Sequence, residues 1–280
     1  KMSNKLNFVF WGTPDVASKT LEILKQNGFL PSLIVTSTDK PQGRKMLLTP
    51  PPVKTWAIEN NIPYLQPEKL DAEFTSKLVP STYDLFVVVA YGKILPEEII
   101  NMPKLGSINI HYSLLPKYRG ASPVESAILN GETETGVTIQ KMVYQMDAGD
   151  IIATEKTKIE GTETAPELRT RLIKIGGELL VKTLPDIMEV KTKETQQVEA
   201  EATFCKKIKK EDGLIDLNDD AQKNYNKFRA YTHWPRTFFF KEGKRIIITQ
   251  ARPEDGNFVI KKIIPEGGKE ITYNSATAEF

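Results

Sequence analysis

The sequence contains very little cysteine and histidine. Among 280 residues there are one cysteine, Cys205, and two histidines. A single cysteine excludes an internal disulfide and a cysteine cluster for zinc, so we expect no metal. No apolar run approaches the about 18 residues that span a bilayer, and no basic-then-apolar signal segment opens the chain. We therefore expect a cytoplasmic protein that does not enter a membrane.

The chain also lacks a dinucleotide-binding glycine motif. The first apolar segment ends in FWGTPD, residues 10–15, with a single glycine. One glycine cannot make the paired close approaches that a dinucleotide pyrophosphate requires. This absence argues against a nicotinamide enzyme and favours a tight turn between a strand and a helix.

The overall composition is that of a globular protein, with 40% hydrophobic and 26% charged residues and a net charge of +2. The charge is unevenly distributed. From residue 204 onward there are 15 Lys and Arg against 11 Asp and Glu. A basic C-terminal segment behind a near-neutral body indicates either a polyanionic partner or an ordinary solvated surface.

Strands and helices alternate in the first part of the chain, which predicts an α/β fold with a Rossmann-like, doubly wound, mostly parallel sheet. Predicted strands cover Leu6–Trp11, Leu33–Thr36, Pro63–Leu65, Asp84–Ala90, Ser107–His111, Gly136–Val143 and Asp150–Ile159. Predicted helices cover Val16–Asn27 (with Asp15 as its cap), Val53–Asn60, Pro96–Asn101, Ala165–Val190 and Ala221–Tyr231.

Three parts follow from this pattern. Residues 1–190 form the first domain. Residues 191–203 are polar and without apolar periodicity, which is typical of a linker. Residues 204–280 are expected to form a small α+β or β-barrel-like appendage. Its YTHWPRTFFF run, Tyr231–Phe240, is dense in aromatics, which favours the core of that appendage over a base-stacking platform.

The most informative stretch is NIHYSLLPKYRG, which begins at Asn109. Asn109 and His111 are two residues apart at the end of a predicted strand, so their side chains point to one face. Open α/β sheets place their chemistry at such strand ends. A carboxamide beside an imidazole suits stabilisation of an oxyanion together with proton transfer. The alternative is that His111 has only a structural role.

Two further segments are candidates. Asp147 follows a predicted strand and is either a turn aspartate or a carboxylate that orients His111. The long loop Ser37–Pro52 combines Lys40, Arg44 and Lys45 with apolar residues. Such a loop is either simply solvated or able to neutralise phosphates while apolar groups contact bases.

These residues together resemble the methionyl-tRNA formyltransferases, a family of folate-dependent formyltransferases. The resemblance covers nearly the whole chain. It rests on FWGTPDVAS, TSTDKPQGR, VVVAYGKILP, INIHYSLLPKYRGASP, GETETGVT, MDAGDI and FRAYTHWPRTFF. The SLLP-centred block is shared by the wider superfamily, whereas the DKPxGR loop and the appended domain point to the tRNA enzymes.

The resemblance implies transfer of a formyl group from 10-formyltetrahydrofolate to the α-amine of methionyl-initiator tRNA, by a monomer without a metal. It implies a formyltransferase catalytic domain in residues 1–190 and a tRNA-binding, shortened OB-type domain in residues 204–280. The implied catalytic residues are Asn109, His111 and Asp147. The implied folate contacts are Ser113, Leu114, Leu115 and Pro116, with Tyr91, Gly92, Ile94 and Leu95 around the pterin. The tRNA contacts are Lys40, Arg44, Lys45 and Lys207.

The chain departs from the family pattern at Tyr112, where a smaller residue is usual and a narrower pocket mouth is expected. The leucines of the SLLP segment need an apolar surface, which is either a ligand ring or the core. Two alternative functions stay open: formyl transfer to a small amine on a nucleotide or amino sugar, and RNA binding without catalysis.

Overall fold

The architecture comes from a computed structural model that describes residues 6–43, 45–78 and 82–273. The helices are α1 (Asp15–Gln26), α2 (Pro52–Glu59), α3 (Ala72–Leu78), α4 (Glu97–Ile100), α5 (Pro123–Leu129), α6 (Ala165–Met188) and α7 (Ala221–Ala230). The strands are β1 (Phe8–Gly12), β2 (Leu33–Val35), β3 (Lys40–Gln42), β4 (Leu47–Thr49), β5 (Tyr64–Leu65), β6 (Leu85–Val89), β7 (Ser107–His111), β8 (Arg119–Gly120), β9 (Glu134–Lys141), β10 (Ile151–Lys158), β11 (Phe204–Cys205), β12 (Phe238–Lys241), β13 (Lys244–Glu254), β14 (Asn257–Pro265) and β15 (Ile271–Thr272).

The chain divides into two compact units. The first unit includes the described residues up to Pro116, together with Val137–Glu155 and Leu172–Ala202. The second unit consists of Lys117–Gly136, Lys156–Arg171 and the described residues from Thr203 onward. The proposed division at residues 190 and 204 stays a prediction.

A seven-stranded sheet in the order β10-β9-β7-β6-β1-β2-β5 organises the first unit. The five strands from β7 to β5 are parallel, and β9 pairs antiparallel with β7. Strands β1 and β6 are buried along their whole length, as expected for central strands covered on both faces. The mostly parallel α/β sheet predicted from the sequence is confirmed.

The strand order reverses between β1 and β6. Because β1, β6 and β7 are parallel, their carboxyl ends lie at the same edge of the sheet. The loops after β1 and β6 are joined there, because Thr13 donates a side-chain hydrogen bond to the carbonyl oxygen of Tyr91 at 2.9 Å. Ligands of open α/β sheets bind at this kind of reversal. Beneath it, Trp11 packs against Phe86 and Tyr91 in the core.

The second unit contains an antiparallel meander of four strands in sequential order, β12-β13-β14-β15. Its apolar side chains form a separate core that includes Phe239, Ile246 and Ile263. Helix α7 begins after Asp220, whose carboxylate accepts a hydrogen bond from the backbone N–H of Lys223. This small C-terminal β domain is the appendage that the sequence predicts.

Several local expectations need correction. Helix α1 begins at Asp15 itself, and Asp15 binds Lys19 one turn later instead of capping the helix. The segment Ser37–Pro52 is not an irregular loop, because β3 and β4 pair as a hairpin with Lys40 opposite Thr49. Arg44, which belongs to this segment in the sequence, is outside the described residues. In the described part of the chain, no helix is both long and apolar enough to cross a membrane.

Candidate active site

Asn109 is held at the carboxyl edge of the sheet by strands on both sides. Its Nδ2 donates a hydrogen bond to the carbonyl oxygen of Val88 on β6 at 3.1 Å. Its Oδ1 accepts one from Nε2 of Gln140 at 3.3 Å. Gln140 is the residue opposite Asn109 in the β7–β9 register. The carboxamide therefore has a defined orientation, with its N–H groups and its oxygen on opposite sides.

His111 ends β7, two residues after Asn109, and is 6% exposed. Its Nδ1 lies 3.6 Å from Oδ1 of Asp147. The same carboxylate oxygen accepts a hydrogen bond from Nε2 of Gln140 at 2.9 Å. The structure thus brings together the carboxamide, the imidazole and the carboxylate that the sequence singled out, with Gln140 between the carboxamide and the carboxylate.

The loop that carries Asp147 is tightly constrained. Asp147 has a φ of +53°, a left-handed conformation that aspartate tolerates better than most residues. Two residues later, a Cβ on Gly149 would lie 1.7 Å from the carbonyl oxygen of Lys141. The loop therefore lies directly against the end of β9, and only glycine fits at residue 149.

An apolar cleft opens beside these polar groups. Asn109, Gln140 and Asp147 line one side of it. Most of the remaining lining is apolar or aromatic and comes from Ile94, Leu95, Ile100, Met142, Val143, Tyr144 and Met146, with Lys93 among them. An apolar wall beside a few convergent polar groups is the usual form of a small-molecule site.

The predicted folate contacts fall into two groups, those that line the cleft and those that do not. Ile94 and Leu95 line the cleft. The remaining six are not among its lining residues: Ser113, Leu114, Leu115, Pro116, Tyr91 and Gly92.

The SLLP segment packs against the sheet. Ser113 is fully buried and its carbonyl oxygen accepts a hydrogen bond from Oγ1 of Thr138 at 2.7 Å. The backbone N–H of Leu115 donates to the same Oγ1 at 3.2 Å, and Leu115 is itself buried. For Leu115, the core is therefore the apolar surface that the sequence left undecided. Contact of this segment with a ligand stays a prediction.

The hydroxyl groups of Tyr91 and Tyr112 are both buried. Burial raises the pKa of the Tyr91 hydroxyl to about 12. Burial also raises the pKa of Tyr112, whose ring packs near Gly176 of α6. Tyr112 follows His111 and therefore points to the other side of the chain. Tyr112 is not among the residues that line the cleft, and the expected narrowing of the pocket mouth stays a prediction.

The predicted tRNA-contacting lysines are exposed. Lys40 lies on β3 and Lys45 at the turn of the hairpin, where Met46, Leu47 and Leu48 are 64–69% exposed. The base of the hairpin is fixed, because Lys54 binds Asp39 at 2.7 Å. A hydrogen bond from Gln66, followed by that from Lys54, lowers the pKa of Asp39. Lys207 is exposed in the second unit.

Sequence reasoning missed Gln140 and the cleft-lining segment Met142–Met146. The alternation along β9 places residue 140 on the face of the sheet that carries Asn109, so a register prediction for β7 and β9 would have found it. Among the described residues there is no group of three or more His, Cys, Asp or Glu side chains that could hold a metal ion.

Residues 4–184 match the family model described as formyl transferase, and residues 207–278 match the model of the formyl transferase C-terminal domain. Both parts of the chain therefore have the sequence pattern of formyltransferases.

The relatives narrow this class. Methionyl-tRNA formyltransferase of Staphylococcus epidermidis is 43% identical over 244 residues, which cover 87% of this chain and 78% of the relative. The enzyme of Lysinibacillus sphaericus is 40% identical over 255 residues, which cover 91% and 78%. This chain belongs to the methionyl-tRNA formyltransferase family.

Solved structures share the fold. An N-formyltransferase from Helicobacter canadensis, in complex with folinic acid and dTDP-3-aminofucose, superposes with a TM-score of 0.67 at 19% identity, covering 95% of this chain and 98% of that one. Methionyl-tRNA formyltransferase from Clostridium thermocellum superposes with a TM-score of 0.62 at 18% identity, covering 93% and 98%.

Proposed function

We propose that this protein transfers the formyl group of 10-formyltetrahydrofolate to the α-amine of methionyl-initiator tRNA. Relatives named for this activity are about 40% identical over most of the chain. In the reaction, a bond forms between the amine nitrogen and the formyl carbon, and the bond from that carbon to the folate nitrogen breaks. The amine loses a proton and the folate nitrogen gains one.

Asn109 stabilises the oxygen of the tetrahedral intermediate. One hydrogen of its Nδ2 is used by the carbonyl of Val88, and the other is the donor we assign to the oxyanion. Gln140 binds its Oδ1, so the N–H side of the amide is kept towards the reacting group. Loss of one such donor typically raises the barrier by about 3 kcal/mol.

His111 provides the second donor to the oxyanion, and Asp147 holds the imidazole. A carboxylate beside the imidazole also offsets the charge that develops when the ring takes up a proton. Asp147 further assists removal of the amine proton, directly or through one water molecule. Positioned proton transfer of this kind contributes roughly 10²–10⁴-fold. Holding the amine and formyl group together accounts for much of the rest.

We assign the flat ring of a reduced pterin to the apolar cleft. Ile94 and Leu95 form part of the wall of this cleft. We include Tyr91, Gly92 and Ser113–Pro116 in the proposed folate-binding region on the resemblance alone. The exposed lysines and apolar side chains of the β3–β4 hairpin, together with Arg44 and Lys207, are the proposed contacts to tRNA.

The observation that carries this proposal is the shared carboxylate oxygen of Asp147. It lies 3.6 Å from Nδ1 of His111 and accepts the hydrogen bond from Gln140, which also binds Asn109. Three groups suited to acyl transfer are therefore linked to one another, and two of them, Asn109 and Asp147, line the apolar cleft.

The test is a formyl-transfer assay with charged initiator tRNA, uncharged initiator tRNA and 10-formyltetrahydrofolate. We expect formylation of the charged tRNA alone, and loss of turnover in His111→Ala with an unchanged melting temperature. A His111→Ala variant that keeps the wild-type kcat would remove the role assigned to the imidazole.

Formyl transfer to an amino sugar is the second candidate, because sugar formyltransferases share the fold over nearly the whole chain. The same assay therefore includes a dTDP-linked amino sugar as acceptor. Equal or higher kcat/KM for that sugar than for methionyl-tRNA would decide for the sugar enzyme. An inactive protein that binds initiator tRNA would decide for the non-catalytic alternative.

A further inference from the structure

The polar segment after α6 is attached to the loop that carries Asp147. Three residues make the attachment within four positions of the chain. Glu194 pairs with Lys141 at the end of β9, with Nζ and Oε1 2.6 Å apart. Thr195 exchanges two backbone hydrogen bonds of 2.8 Å with Ile151 at the start of β10. Gln197 then reaches the loop between these strands.

Gln197 is the contact nearest to Asp147. Its Nε2 donates one hydrogen bond to the carbonyl oxygen of Asp147 at 2.9 Å and another to that of Gly149 at 2.7 Å. Both amide hydrogens of one side chain are therefore used to fix alternate carbonyls of the loop. The attached segment spans Glu194–Gln197, and we refer to it as the strap.

The loop needs such support for a physical reason. Asp147 has a positive φ, and backbone in this region persists only where its surroundings hold it. The backbone of Gly149 is already fixed against Lys141 by close contact. At Asp147, the carbonyl oxygen is fixed by Gln197, whereas the carboxylate is fixed by Gln140.

The three strap contacts differ in strength. The Lys141–Glu194 pair is 42% and 33% exposed, and exposed pairs of this kind contribute little. The Thr195–Ile151 pairing covers the outer edge of β10 and places the strap beside the sheet. Only Gln197 acts on the peptide groups that define the direction of the Asp147 side chain.

From this geometry we infer that Gln197 is a positioning residue for formyl transfer, which sets the carboxylate of Asp147 against His111. The inference rests on the proposed function for its kinetic consequence, and on the loop contacts alone for its structural one. A side chain in the polar segment after α6 thereby positions a group of the proposed active site.

Two variants separate hydrogen bonding from packing. Gln197→Ala removes the side chain. Gln197→Glu keeps its size but replaces the donor with an oxygen that repels both carbonyls. The matched control is Gln196→Ala, which changes the adjacent, exposed glutamine. Each protein is measured for kcat, for KM of the formyl donor and of methionyl-tRNA, for melting temperature, and for amide hydrogen exchange in residues 142–150.

We expect kcat to fall about 10- to 100-fold in both Gln197 variants, because small misplacements of a reacting group cost rates of this order. Both KM values should stay within about twofold of wild type if only the catalytic step is affected. Exchange in residues 142–150 should become faster, with the melting temperature unchanged. Gln196→Ala should behave as wild type in every measurement.

Wild-type kcat and wild-type exchange in Gln197→Glu would overturn the inference, because they would show that only the volume of the side chain matters. A fall in melting temperature with faster exchange throughout the sheet would also overturn it, since the role would then be general stability. Absence of formyl transfer in the wild-type protein would instead disprove the proposed function. The difference in exchange between Gln197→Ala and Gln196→Ala would then still decide whether Gln197 holds the loop.

Discussion

Gln140 donates a hydrogen bond from Nε2 to Oδ1 of Asp147 at 2.9 Å. The same nitrogen also donates to Asn109 at 3.3 Å, so one buried amide links two of the three residues proposed for catalysis. Gln140 is 2% exposed. Its Oε1 is buried and has no hydrogen-bond partner among the described residues. An unpaired buried oxygen lowers stability, and such groups are often kept where function requires the side chain.

Replacement of Gln140 should therefore reduce activity more than stability. In Gln140→Leu, the volume is kept, both hydrogen bonds are lost and the unpaired oxygen is removed. We expect kcat to fall about 10- to 100-fold and the free energy of unfolding to change by less than about 2 kcal/mol. Steady-state kinetics and urea unfolding measure the two effects. The control is Gln250→Leu at an exposed position of β13, and equal kcat in both variants would contradict the prediction.

Because Gly149 lies close against β9, we predict that one added methyl group lowers both the stability and the activity of the protein. In Gly149→Ala, the new Cβ meets the carbonyl oxygen of Lys141 at 1.7 Å unless the backbone moves. We expect a loss of about 1–3 kcal/mol in the free energy of unfolding and a lower kcat, because Asp147 moves with the loop. Gly161→Ala is the control, since nothing lies within 4 Å of its added Cβ. Similar urea midpoints for the two variants would argue against this packing.

We predict that the lysines of the β3–β4 hairpin make a salt-dependent contribution to the KM for methionyl-tRNA. The double variant Lys40→Ala/Lys45→Ala should raise KM for methionyl-tRNA. It should also reduce the slope of log KM against log salt by about 1–2, because each phosphate contact contributes roughly 0.7–0.9. The control Lys25→Ala/Lys182→Ala removes two exposed lysines from helices. If both double variants show the same salt slope, the hairpin lysines do not contact phosphates.

The buried hydroxyl of Tyr91 leads us to expect a loss of stability at alkaline pH. Burial raises the pKa of its hydroxyl to about 12, whereas an unfolded tyrosine titrates near 10. The folded state therefore keeps a proton that the unfolded state releases. The associated stability is complete below pH about 10 and is lost as the pH rises towards about 12.

In Tyr91→Phe this alkaline loss should be smaller, by about 1.4 kcal/mol at pH 11. At pH 7 the variant should be as stable as wild type or slightly more stable, because the Tyr91 hydroxyl has no hydrogen-bond partner in the described part of the chain. Urea unfolding between pH 7 and 11 measures this, with the exposed Tyr144→Phe as control. An increase in KM for the formyl donor would instead favour direct contact of the hydroxyl with folate.

The sequence was sufficient for the elements whose apolar pattern is strong. Strand β7 has the predicted bounds, and β6 and α7 differ by one residue at each affected end. The sequence pattern gave wrong predictions where a residue type suits two local roles, and where apolar residues are exposed. Asp15 has the composition of a helix cap but lies inside the helix, and the β3–β4 hairpin has exposed apolar residues on short strands. Helices α3 and α5 are short, with seven residues each, and escaped prediction.

The alternation of strands and helices that defines the α/β class, the family, and the placement of Asn109 and His111 at the end of one strand were determined by the amino-acid sequence, because periodicity and motif residues are local along the chain. The roles of Gln140 and Gln197 depended on tertiary structure. Gln140 is 31 residues from Asn109, and Gln197 is 50 residues from Asp147. Their donors reach these partners only after β9 pairs with β7 and the strap pairs with β10. Hydrogen bonds depend on distance and direction in space, and neither is encoded by the spacing of residues in a polar segment.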